Sequence, residues 1–104
     1  MRNQKEKDSE ATQVSFRMWK GQVIALFPYE IADNRGSIQS YMRLGQHSAA
    51  DYHHIVANSR PATPIERNAL KEELESIGYN LQIISRYSHQ KYLDAYYDVK
   101  NMAA

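Results

Sequence analysis

GQHSAADYHHIVANS, Gly45 to Ser59, lies between a half of the chain that alternates apolar and polar residues and a half with helical spacing. Where its helix begins decides how many strands come before it. Ser48 is a good N-cap, and Asp51, three residues on, can return a hydrogen bond in a capping-box arrangement while matching the helix dipole. His47 then falls at N′, outside the helix, and Tyr52 at N4, the two positions that pack as a staple. Tyr52, Ile55 and Val56 supply the buried face. The stretch reads as a strand-to-helix corner with His47 at its bend.

Upstream of this corner three strands are expected. QVSFRMW (13–19) alternates, with Val14, Phe16 and Met18 on one side. Lys20-Gly21 suits a two-residue hairpin. The next run, QVIALFPYE, is apolar on both faces, which fits a central strand covered on both sides or carrying an oligomer contact. Pro28 has no amide hydrogen, so pairing should stop or bulge there. After the turn residues Asp33, Asn34 and Gly36, SIQSYMRLG places Ile38, Met42 and Leu44 on one face and Gln39, Tyr41 and Arg43 on the other.

Downstream the period changes. Thr63 as N-cap, Pro64 at N1 and Glu66 at N3 make a capping box, and Gly78 ends the helix. Ile65, Ala69, Leu70, Leu74 and Ile77 form its apolar stripe. YNLQIIS is a fourth strand, with Tyr79, Leu81 and Ile83 on one side. The final residues form an amphipathic helix rich in tyrosine. Together these elements predict an α+β fold: a small antiparallel sheet in β-β-β-α-α-β order, helices on one face, and an appended C-terminal amphipathic helix. Residues 1–11 read as a disordered polar tail, 12–86 as a single domain and 87–104 as the tyrosine-rich helix.

FRMWKGQVIALFP, SYMRLGQHSAADY and ELESIGYNLQIISR together resemble a group of short proteins of unassigned activity carried by bacteria, plasmids and phages. The resemblance spans Val14 to Arg86. It implies no catalytic residues. It does imply an accessory role of the kind that mobile elements carry, including interference with host defences.

Bulk properties narrow the function further. A chain of 104 residues holds one domain, and its net charge of +1 supplies no broad field for drawing it onto nucleic acid or an anionic membrane. The absence of cysteine excludes disulfides and thiolate zinc sites. No apolar run approaches the ~20 residues that span a bilayer, and the amino terminus lacks a hydrophobic segment, so the expected location is cytoplasmic.

Three candidate sites follow. On an ideal helix His47, Asp51 and His54 would share a face, and two imidazoles with a carboxylate are competent for a divalent metal or for hydrolysis with His47 as general base. The capping reading weakens this by moving His47 out of the helix. Neither HExxH nor a GxSxG elbow occurs, and no phosphate loop asks for a cofactor. A strand face bearing Arg17, Trp19, Tyr41 and Arg43 could stack bases and contact phosphates. Tyr92, Tyr96 and Tyr97 of the C-terminal helix suit an interface. The expected function is a non-enzymatic binding protein of a bacterium or mobile element, acting on a partner protein, on itself as a homo-oligomer, or on a small ligand. Its contacts would be His47, Asp51, Tyr52, His54, Tyr92, Tyr96 and Tyr97. Metal-binding or hydrolytic chemistry, and nucleic-acid binding, are the alternatives.

Overall fold

The computed structural model describes residues 11–43 and 46–103. The polar tail expected over 1–11 therefore lies outside the described residues, apart from Ala11. Six strands among the described residues form one sheet: β1 (Thr12–Trp19), β2 (Gln22–Ile31), β3 (Ile38–Met42), β4 (Gln46–Ala50), β5 (Arg60–Pro61) and β6 (Leu81–Ile83). Three helices accompany them: α1 (Tyr52–Ala57), α2 (Pro64–Ser76) and α3 (His89–Ala103). The sheet runs β4-β3-β2-β1-β5, and β6 also pairs with β1. The class is α+β, as the patterns predict, but the element order is richer. No helix among the described residues is long and apolar enough to cross a membrane.

Local chemistry places the first strands. Trp19 pairs with Gln22 across Lys20-Gly21, both of which have positive φ (51° and 77°), the backbone of a type I′ turn. The β2–β3 register shifts between Phe27 and Ile31, around Pro28, which cannot donate to the ladder.

β2 decides the layering. Ala25 and Phe27 pack on one side with Val14, Phe16, Tyr41, Leu70 and Leu74, beneath α2. Ile24 and Leu26 pack on the other with Ile38, Ala50 and Ile55, where α1 and Tyr92 of α3 cover them. Helices therefore lie on both faces, and the one-face arrangement is corrected. Burying each large side chain contributes roughly 1.5–3 kcal/mol, so a strand apolar on both sides demands two covers.

The corner at 45–59 also differs from its sequence reading. Ser48 is not an N-cap. It sits within β4, opposite Ser40, whose Oγ donates to the Ser48 carbonyl at 2.9 Å. Asp51 takes the cap instead: its backbone is extended (φ −87°, ψ 107°) and its Oδ1 accepts from the His54 N–H at 3.2 Å. A cap is worth only about 1 kcal/mol. Pairing with β3 satisfies a row of backbone groups and carries Ala50 into the core opposite Ile38, which outweighs it.

α2 begins as expected, with Thr63 and Glu66 exchanging both capping-box hydrogen bonds. Its buried stripe is narrower than predicted. Leu70 and Leu74 are buried, whereas Ile65 is 90% and Ile77 54% exposed, so only the middle turns of the helix meet the sheet. β6 forms where alternation predicts a fourth strand, but it runs parallel to β1, along Thr12 to Val14.

Candidate functional site: an aromatic cleft

The corner carries Asp51, Tyr52 and His53 to one wall of a cleft of about 160 Å³. Arg35, Gly36 and Ser37 of the β2–β3 loop form another wall, and Tyr87 and Tyr92 close it. The loop is shaped by Asp33, whose Oδ1 accepts the Arg35 and Ser37 N–H groups at 3.0 Å each. Those amides hold the Asp33 carboxyl below its usual range, the Ser37 bond foremost. Gly36 has φ +88° and its carbonyl accepts from the Tyr92 hydroxyl at 2.7 Å, which ties α3 to the loop.

Tyr87 is the hub. Its ring stacks on Tyr52 at 4.3 Å between centroids and on Tyr29 at 6.1 Å. His53 meets it edge-on at 5.5 Å, and its hydroxyl bonds His89 Nδ1 at 3.2 Å. From Tyr92 the array continues to Tyr96, 6.2 Å away and nearly parallel, and then to Tyr97. Burial, with the neighbouring tyrosines Tyr92, Tyr52 and Tyr29 adding, pushes the Tyr87 hydroxyl up to about 12. Burial likewise raises Tyr52 and Tyr92. These hydroxyls stay protonated at neutral pH and act as hydrogen-bonding groups on apolar rings.

α3 supplies half of the array because its start is held firmly. Ser88 Oγ accepts the Lys91 N–H at 3.2 Å, and the Ser88 N–H donates to the Tyr29 hydroxyl at 2.7 Å. His89, Tyr92 and Tyr96 then recur at helical spacing on the face that meets the sheet and loop.

Several sequence candidates thus converge here. Asp51, Tyr52 and Tyr92 line the cleft, and Tyr96 extends it, its hydroxyl donating to the Asn34 carbonyl at 3.3 Å. Tyr97 is 54% exposed at the far end of the array. His47 is elsewhere. Strand alternation turns it to the α2 face, where it packs edge-on against Tyr41 and its Nε2 lies 3.1 Å from the Tyr79 hydroxyl. Ser48 points to the opposite face, so the two do not make a nucleophile–base pair. His54 is exposed on α1. The shared helical face of His47, Asp51 and His54 does not form, and among the described residues no three His, Asp or Glu side chains group as metal ligands.

The strand face proposed for nucleic acid is also divided. Arg17 and Trp19 project toward α1, while Tyr41 and Arg43 lie on the α2 side. Arg17 is engaged structurally: Nε donates to Ser59 Oγ (2.9 Å), and Nη2 to the Val56 (3.2 Å) and Ser59 (2.9 Å) carbonyls at the end of α1. Tyr41 is 2% exposed and donates to Glu73 Oε2 at 2.5 Å.

Tyr29, Arg35, His53, Tyr87 and His89 were not singled out by sequence reasoning as contact residues. The signal was partly present, since His89, Tyr92 and Tyr96 follow helical spacing. Nothing local joins Tyr29 or Tyr52 to them. No protein family, curated protein or solved structure matches this chain.

Proposed function

We propose that the protein is a non-enzymatic interaction protein whose anchor is the aromatic cleft. The observation that carries this is the run of half-buried tyrosines around Tyr87, open at a cleft whose rim holds Arg35 and Asp51. At about 160 Å³ the cleft is below the roughly 300 Å³ at which small-molecule sites begin, and matches a single side chain of a protein partner. Tyrosine and arginine dominate binding energy at such anchors. Opposite charges at the rim favour a specific protein contact over a polyanion. The resemblance to proteins of mobile elements supports an accessory role, with a host protein as the partner and interference with host defence as the outcome.

The test uses exposed rim residues, so that the core is untouched. The wild-type chain should capture a defined bacterial host protein, and Arg35→Ala with His53→Ala should weaken that capture at least tenfold while the fold is retained, as for loss of ~1.4 kcal/mol or more at an anchor. Equal capture by wild type and double variant would exclude the cleft as the anchor.

A second reading, self-association, is favoured by the end of α3, where Tyr97 is 54%, Val99 42% and Met102 84% exposed. Sedimentation of wild type and Met102→Glu separates the two. A concentration-dependent dimer lost in the variant supports self-association, and a monomer at all concentrations removes it.

A further inference from the structure

The outer edge of β1 is shared by two short strands. β6 pairs along Thr12 to Val14, and β5 along Arg17 and Met18. At the junction the Ile84 N–H donates to the Val14 carbonyl (2.9 Å) and the Ala62 N–H to the Phe16 carbonyl (3.0 Å). A cleft of about 250 Å³ opens at this break, with Ser15, Arg67 and Ser85 among its lining and Ala62, Ile83 and Ile84 as apolar walls.

Arg67 stands out by what the other half-buried charges have. Arg17 holds the end of α1, Asp33 accepts two loop amides, Glu66 pairs with Arg60, Lys71 pairs with Glu75, and Glu73 accepts from Tyr41. Among the described residues the Arg67 guanidinium has no hydrogen bond or ion pair, although the residue is half-buried. Ser85 likewise has no side-chain hydrogen bond there, whereas Ser15, opposite Leu26 in the ladder, turns its side chain to the α1 face. The cleft lining contains no carboxylate, and the adjacent Glu66 is held by Arg60 through bonds of 2.8 and 2.6 Å. A half-buried arginine with uncommitted donors, in a cleft that also holds the uncommitted Ser85 hydroxyl, is matched by a tetrahedral oxyanion.

We propose that this break in the sheet edge is a binding site for a phosphoryl group, held by the Arg67 fork with Ser85 as a hydroxyl partner. It is separate from the aromatic cleft and does not depend on the function assigned there. Its volume accommodates the phosphoryl end of a ligand and is below that of a site enclosing a drug-sized molecule. The group could belong to a small phosphorylated metabolite or to a phosphorylated side chain.

Titration of the full chain with inorganic phosphate, followed by amide NMR, tests this. Saturable shifts are expected at Ser15, Phe16, Ala62, Arg67 and Ser85, weakened about tenfold or more by Arg67→Gln and partly restored by Arg67→Lys. Glycerol phosphate and phosphoserine then identify the source of the group by which binds more tightly. Absence of saturable shifts, identical shifts in Arg67→Gln, or equal binding of acetate would overturn the proposal. If Arg67→Gln fails to fold, Arg67→Lys and Ser85→Ala, each expected to weaken phosphate binding, carry the test.

Discussion

The rings of Tyr52 and Tyr87 stack 4.3 Å apart at 20°, joining the start of α1 to the segment before α3 across 35 residues of chain. That pair holds the cleft together, and its coupling is measurable. In a double-mutant cycle with leucine at each position, urea unfolding should give a coupling of about 0.5–1.5 kcal/mol beyond lost burial. A coupling near zero would mean that the rings contribute only their area.

High pH should loosen the same region first. The Tyr87 hydroxyl ionises near 10 in an unfolded chain and at about 12 in the fold, so above pH 10 the folded state binds more protons than the unfolded one. Its contribution to stability is complete below pH 10 and is lost as pH rises toward 12. Tyrosinate absorbance should show that Tyr87→Phe loses one late-ionising group, while the raised Tyr52 and Tyr92 remain. A single transition near pH 10 in both proteins would contradict the burial of this hydroxyl.

Gly36→Ala should cost more than about 1 kcal/mol, because the residue has φ +88° and an added Cβ would meet the Tyr92 hydroxyl. The two causes separate in a Tyr92→Phe background. Removing the hydroxyl relieves the collision but not the backbone strain, so Gly36→Ala should be less harmful there. Thermal melts of the four proteins give the comparison.

Arg17→Met keeps an apolar stem and removes the donors to Val56 and Ser59. A loss of about 1.5–3 kcal/mol is expected, as for hydrogen bonds from a charged group. Amide exchange should quicken at Asn58 and Ser59 before it does in β2. Unchanged stability would leave the arginine no part in fixing the end of α1.

Much of this fold is written in short segments, and those are legible in the chain itself. Lys20-Gly21 can form its turn because a I′ hairpin needs positive φ at two adjacent residues, and the Pro28 bulge follows from a missing amide hydrogen. The Thr63–Glu66 capping box is likewise complete within four residues. The double-sided apolar pattern of β2 announces two covered faces, although not which helices cover them.

Tertiary structure decided the rest. Ser48 has the local chemistry of a cap, worth about 1 kcal/mol, but a neighbouring strand and a core position for Ala50 are worth more, so the chain stays extended to Asp51. That shift of three residues sends His47 to one face of the sheet and leaves Asp51 and Tyr52 at the cleft. Tyr29, Tyr52 and the Tyr87–Tyr92 stretch come from three separate segments, and no periodicity can join them. The Lys20-Gly21 turn and the Thr63 cap could be read from the chain alone because the energies there are local. The aromatic cleft was decided only by packing, which brings distant rings together wherever the faces of the sheet leave them room.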